Sequence, residues 1–202
     1  MRKRYGKYGL LGVLVLALLL ALQLAAGPAS ATTTTLNKTQ GFMMGELYPG
    51  DFEVYSDGTL HVWDWVAYTV TVRATGPDGG RFLGTYGVAR LDVLIPLKGD
   101  NYHTGDIAFV SQDPLGIVYD PAKSHSENLA GYGLLWTGKW DGYTLNKRNH
   151  KAVMELVGWP GSANEGYTAH VEVKSGGFDM ANVNSGNYVL TPWNSLVYVT
   201  SP

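Results

Sequence analysis

The sequence predicts an all-β protein, a single-domain β-sandwich of the jelly-roll kind that follows a cleaved N-terminal signal peptide. After Phe42, runs of alternating apolar and polar residues are broken by Gly, Pro, Asn and Asp. The 26 Gly, 13 Tyr and 6 Trp are typical of a turn-rich β-protein with large aromatic anchors. Roughly eight to ten such runs indicate a sandwich or a barrel.

The first 31 residues have the pattern of a secretory signal peptide. A basic start precedes an apolar run from Leu10 to Ala26, and Pro28-Ala29-Ser30-Ala31 resembles a signal-peptidase site. We expect residues 1–31 to be removed, the mature chain to begin at Thr32, and the protein to be extracellular or on the cell surface. Two alternatives remain open: a retained transmembrane anchor, or the core helix of a type IV pilin that is cut at Gly9.

Composition limits the partners that the mature chain can have. Without residues 1–31 it carries 11 basic and 17 acidic residues, a net charge of −6. This balance argues against nucleic acid and anionic membrane surfaces as partners. The chain has no cysteine, so neither disulfides nor a lipid anchor on an N-terminal Cys is expected.

The elements follow in chain order. Residues 32–47 form a Thr-rich extended arm, and residues 48–202 form the sandwich. Asn37-Lys38-Thr39 is a glycosylation sequon. Alternation is clearest over residues 66–73, 88–95 and 167–174. Shorter strands are predicted over 107–110, 117–119, 134–140, 152–157, 188–190 and 196–200. One helix is predicted, with Asp120 as its cap, Pro121 first and Gly131 at its end.

No catalytic, cofactor or metal site is predicted, because the common motifs of such sites are absent. The five histidines are scattered and are expected on polar faces: His61, His103, His125, His150 and His170. A glycan hydrolase would need two facing carboxylates, for which the strand residues Asp64, Asp92, Glu155 and Glu172 are candidates.

Tryptophans offer a different function, a secreted carbohydrate-binding module. The candidates for sugar stacking are Trp63, Trp65, Trp136 and Trp140, since each pair shares one parity of its strand. The competing interpretation is that these rings fill the core, because Trp buries a large apolar area.

The beginning of the mature chain resembles a known family. Phe42-Met43-Met44-Gly45-Glu46-Leu47 has the form F-x-x-G-x-L, Leu47-Tyr48-Pro49-Gly50-Asp51 has the form L-x-P-G-D, and Asp57-Gly58 precedes a long alternating strand. This order is similar to the N-terminal region of the TasA and camelysin family of secreted fibre subunits and of the archaeal bundling pilins. It departs from the family pattern in that the first two elements overlap at Leu47.

The resemblance implies a jelly-roll subunit that polymerises with itself by donor-strand exchange. The residues expected to carry the intersubunit contact are Leu36, Phe42, Met44, Gly45 and Leu47. Pro49, Gly50 and Asp51 would form the turn that aims the arm. Neighbouring filaments or cell-surface glycans are further expected partners. The alternative is that Phe42 to Leu47 is the first edge strand of its own domain.

Overall fold

The computed structural model describes residues 32–46, 52–120, 122–145, 149–176 and 191–202. Residues Thr33–Pro202 form one compact unit. The predicted signal peptide, Leu47, the turn Pro49-Gly50-Asp51 and the predicted strand 188–190 lie outside the described residues. Within them, no helix has the length and apolar character needed to cross a membrane.

The described residues form nine strands and one short α-helix. The elements are β1 (Thr34–Glu46), β2 (Phe52–Val54), β3 (Leu60–Thr75), β4 (Tyr86–Ile95), β5 (Asn101–Val110), α1 (His125–Leu129), β6 (Leu134–Leu145), β7 (Asn149–Gly158), β8 (Thr168–Gly176) and β9 (Thr191–Thr200). The strands predicted over 66–73, 88–95, 107–110, 134–140, 152–157, 167–174 and 196–200 are confirmed, with most extending further. Residues 117–119 are not a strand.

All strand pairs are antiparallel, and the sheet closes on itself. Its order is β1-β9-β8-β7-β6-β5-β4-β3, and β1 also pairs with β3. The result is an eight-strand barrel, to which β2 adds at the beginning of β3. The all-β prediction is confirmed, but a barrel replaces the expected two-sheet sandwich. The sequence could not distinguish the two, because apolar and polar residues alternate along the strands of both architectures. The sheet is closed because β1 pairs with both β9 and β3, which leaves no open edge there.

The barrel lumen is a packed core. On β6 the inward positions alternate large and small: Trp136, Gly138, Trp140 and Gly142. Trp136 and Trp140 are 0% and 2% exposed. A Cβ on Gly138 would lie 1.9 Å from the Glu155 carbonyl oxygen, so no larger residue fits. Side chains of alternating size fill a barrel of eight strands, whose interior is about one layer of side chains wide.

A second apolar cluster lies outside the barrel, where residues 115–132 cover β3 to β6. Ile117 and Leu129 pack there on Val66, Val88 and Ala108. The predicted helix is shorter than expected and has a different cap. Ser124 and Glu127 form a capping box, whereas the Asp120 carboxylate accepts from the Ala122 amide in a local turn.

Candidate functional site

The candidate site is the seam of the barrel, where β1 lies between β9 and β3. β1 pairs with β9 from Thr34↔Thr200 to Met43↔Thr191. It pairs with β3 from Lys38↔Thr75 to Glu46↔Val66. Residues 38–43 therefore have a partner on both sides. Without β1, the facing edges of β3 and β9 would expose unpaired backbone N–H and C=O groups.

The inward face of β1 is mostly polar. Asn37, Thr39 and Met43 are each 1% exposed, and Gly41 lies between the last two. The Thr39 hydroxyl forms a hydrogen bond with the Ser195 hydroxyl on β9. Among the β1 side chains that the structure describes, Met43 is the one apolar member of the core. Backbone pairing and polar contacts therefore hold most of this strand in place.

A turn after β3 fastens the beginning of β1, and we call this contact the Asp78 latch (Thr35, Asn37, Asp78 and Arg81). The Thr35 hydroxyl donates to Asp78 Oδ2 at 2.6 Å, and the Asp78 amide donates to Asn37 Oδ1 at 2.8 Å. Arg81 Nε donates to Asp78 Oδ1 at 3.0 Å. The hydrogen bond from Thr35, and then Arg81, lower the pKa of the Asp78 carboxyl.

Gly41 is required where β1 passes beneath Trp193. The register of β1 against β3 shifts between Gln40 and Gly41. A Cβ on Gly41 would lie 1.9 Å from the Val70 carbonyl oxygen and 2.7 Å from Trp193 Nε1. Since the nearest obstacle is backbone, a side chain here prevents β1 from seating in the barrel.

The predicted donor-strand residues whose side chains the structure describes lie on the outer face of β1. Leu36 and Phe42 face outward and are 51% and 41% exposed. Met44 and Gly45 belong to β1, and the structure does not describe their side chains. The apolar residue in the lumen is Met43, which the sequence analysis did not single out. The alternation of apolar and polar residues could not show which of these residues faces the lumen, because Phe42, Met43 and Met44 are consecutive apolar residues.

The sequon residue Asn37 is buried. Its amide donates to Thr35 Oγ1 at 3.0 Å and to the Val197 carbonyl at 3.4 Å, in addition to the latch contact. A glycan on Asn37 has no room while β1 occupies the barrel, so the predicted glycosylation does not fit this arrangement.

The tryptophans proposed for sugar stacking are mainly core residues. Trp65, Trp136 and Trp140 are 3%, 0% and 2% exposed. Trp63 is half-buried, and its ring centroid lies 5.3 Å from that of His61. These four rings therefore do not form the exposed strip that a binding module would present.

Three histidines are buried, contrary to the expectation for polar faces. In the lumen the His103 and His150 rings stack at 4.6 Å, and Trp140 Nε1 donates to His103 Nδ1 at 2.9 Å. Burial lowers the pKa of His103 to about 4. Burial, and then His103, lower the pKa of His150 to about 3. In the apolar cluster outside the barrel, His125 Nε2 forms a hydrogen bond with the Val88 carbonyl oxygen. His103 shares its parity with the core residue Ile107, a signal that could have revealed it.

The candidate carboxylates face outward from the barrel wall. Asp64 accepts from Arg90 Nε at 2.7 Å, and Asp92 is exposed. Glu155 and Glu172 lie 2.5 and 3.8 Å from the two ring nitrogens of His170, and Glu155 is 67% exposed. An exposed wall does not give the enclosed pair that glycoside hydrolysis needs. Among the described residues, no group of three or more His, Asp or Glu could hold a metal ion.

Comparison with known proteins finds no matching family model, no similar curated protein and no similar solved structure.

Proposed function

We propose that this protein is a structural subunit of an extracellular filament, such as a pilus or biofilm-matrix fibre, or of a surface layer, and that it polymerises by donor-strand exchange. The observation that supports this most is the mismatch in β1. The strand is paired along both edges, yet Met43 is the one apolar side chain that it is seen to place in the core.

Strong pairing makes some strand necessary at this position. The open edges of β3 and β9 would be satisfied equally by the same segment of a neighbouring chain. An exchanged strand makes every contact that it makes within its own barrel. When each chain gives its strand to the next, the contact is head-to-tail and does not close, and a filament results.

Weak apolar anchoring makes the exchange feasible. Full burial of one Met side chain stabilises a protein by about 1.5–3 kcal/mol, which is a small apolar contribution for a strand of 13 residues. The remaining inward groups, Asn37 and Thr39, regain hydrogen bonds with water when the strand leaves. Leaving the barrel thus exposes little apolar surface.

The outward residues fit a contact between subunits. Phe42 lies in a groove of about 150 Å³ beside Tyr68, Tyr86 and Leu115, and Leu36 is half exposed further along β1. Exposed apolar side chains next to an exchanged strand can be covered by the subunit that donates it.

A pair of engineered cysteines tests the exchange directly, because the chain has no cysteine of its own. Thr39→Cys with Ser195→Cys joins β1 to the strand it touches. Val171→Cys with Val197→Cys is the matched control, since it joins the neighbouring strands β8 and β9. Processed protein is assembled under reducing conditions, examined by negative-stain electron microscopy, oxidised, and run on a non-reducing gel.

We expect both variants to form filaments. After oxidation, the Thr39→Cys/Ser195→Cys variant should give a ladder of covalent multimers on the gel, while the Val171→Cys/Val197→Cys control should give monomer alone. Filaments that give only cross-linked monomers with both pairs would show that β1 stays in its own barrel. Single particles over a wide concentration range would overturn the filament itself. N-terminal sequencing of the same sample decides between chains that start near Thr32 and a pilin that starts at Leu10.

A further inference from the structure

A second feature lies on the outer wall of the barrel, in residues directly opposite one another on six strands. We propose that this row binds an extended acidic polysaccharide. The cationic row, as we name it, consists of Tyr143, Lys151, Lys174, Asn194, Gln40 and Arg73. The proposal does not depend on whether β1 comes from the same chain or from a neighbour.

The strand register aligns these residues into one line. Lys151 pairs with Tyr143 on one side and with Lys174 on the other. Asn194 pairs with Lys174 and with Gln40, and Arg73 pairs with Gln40. Five strand spacings correspond to about 24 Å, measured along the curved wall of the barrel. The line is therefore long enough for a polymer and too long for a single small anion.

The row places like charges together. Lys151 and Lys174 are exposed and directly opposite each other, an arrangement that destabilises a sheet. The ion pairs of the described residues use Arg81, Arg90, Lys123 and Lys139 as their Lys or Arg partners. Within the part of the chain that the structure describes, Lys151, Lys174 and Arg73 have no ion-pair partner.

A parallel line on the same wall shows how the chain arranges charges that need no ligand. We call it the charge belt: Arg90, Asp106, Lys139, Glu155 and His170 lie opposite one another in that order. Basic and acidic groups alternate, and the Lys139–Asp106 and His170–Glu155 contacts are both 2.5 Å. The cationic row lacks such alternation, and for this reason we assign its charges to an external polyanion.

Two adjoining grooves follow the cationic row. One, of about 430 Å³, is lined by Arg73, Gln40, Asn194 and Lys174, with Lys38 beside them. The other, of about 240 Å³, is lined by Lys174, Lys151 and Tyr143. Both also contain Glu172, whose carboxylate lies 3.8 Å from His170 Nε2, and Asp141 lines the smaller groove as well. Cations and carboxylates are equal in number in the smaller groove, and the excess of cations comes from Lys38 and Arg73 in the larger one.

The mixture of groups favours a polysaccharide over other polyanions. Gln40 donates to Asn194 Oδ1 at 2.8 Å, which leaves the Asn194 amide protons and the Gln40 carbonyl to bond hydroxyl groups. The Tyr143 ring can pack against a sugar face. Nucleic acid needs a dense series of cations with several stacking rings, whereas this row offers Lys151, Lys174 and Arg73 with the single ring of Tyr143.

The test measures the affinity of processed protein for polygalacturonate by titration calorimetry at two salt concentrations. Dextran is the neutral probe and polyglutamate is the anionic probe without sugar. Lys151→Gln with Lys174→Gln removes the central charges. Lys98→Gln is the matched control, because Lys98 is exposed on the loop between β4 and β5 and lines neither groove.

We expect polygalacturonate to bind with an affinity that falls with salt. The double variant should bind about tenfold more weakly, and Lys98→Gln should bind like the unchanged protein. The double variant should also have a higher Tm, since it loses a like-charge pair. Equal binding of dextran, an equal loss in Lys98→Gln, or no loss in the double variant would overturn the proposal. Equal binding of polyglutamate would overturn the assignment to a polysaccharide.

Discussion

β8 and β1 are the two neighbours of β9, and they are held in different ways. β8 places Ala169, Val171 and Val173 in the lumen, each 2–3% exposed. At the corresponding inward positions of β1 lie Asn37, Thr39 and Met43. The two strands make almost the same number of pairs with β9, eight for β8 and ten for β1.

Backbone pairing and side-chain burial are therefore separable properties of a strand. Pairing closes the barrel, while burial decides how much free energy is lost when a strand leaves. β8 has both, and β1 has mainly the first. Substitutions that change one of these properties at a time can therefore separate their effects.

Gly41→Ala should break the seam. The added Cβ meets the Val70 carbonyl and Trp193, so we expect a loss of about 3 kcal/mol in the free energy of unfolding. Hydrogen exchange should quicken along the edges of β3 and β9. Gly131→Ala is the control, because no atom lies within 4 Å of its Cβ. Equal stability of the two variants would mean that β1 does not seat as described.

Acid should weaken the barrel at the lumen histidines. Burial lowers the pKa of His103 from 6.5 to about 4, and that of His150 is also lowered. The unfolded chain therefore binds more protons below pH 6.5. Stability is complete above about pH 7 and decreases as the pH falls toward 4, by on the order of 2 kcal/mol per histidine at pH 5.

Urea unfolding at pH 7.5 and pH 5 measures this loss. His150→Gln should reduce the difference between the two pH values, because one buried titrating group is removed. An unchanged difference in that variant would assign the acid sensitivity to other groups.

Asp78→Ala should release the beginning of β1. Thr35 loses its acceptor and Arg81 its ion pair, so we expect a cost of about 1 kcal/mol. If β1 exchanges, assembly should become faster, because the strand leaves more readily. Light scattering follows assembly, and slower assembly would contradict the role of the latch. Asp57→Ala, which removes a carboxylate that accepts from the Thr59 amide in a different loop, is the control.

Thr39→Val with Ser195→Ala should make β1 resemble β8. Both partners of one buried hydrogen bond are removed together, so the change in stability should stay within about 0.5 kcal/mol. Exchange should become slower, since the strand now buries a second apolar side chain. Subunit mixing with labelled protein measures the rate, and faster mixing would contradict the comparison.

The prediction of strands depended on local pattern, and for this reason it succeeded over most of the described chain. Alternation over residues 66–73 and 167–174 is visible in consecutive residues, because side chains in a strand point to opposite faces. The helix prediction was less accurate. Asp120 and Ser124 both have the chemistry of a cap, and only the Ser124–Glu127 box is formed at the helix.

Local patterns in the sequence were sufficient to predict an all-β protein and the position of most strands. The closure of the sheet into a barrel, the entry of Met43 rather than Phe42 into the lumen, and the stacking of His103 on His150 are visible only in the folded chain. The physical reason is distance along the chain. Thr39 meets Ser195 across 156 residues, and a period of two residues says nothing about which remote strand covers which face.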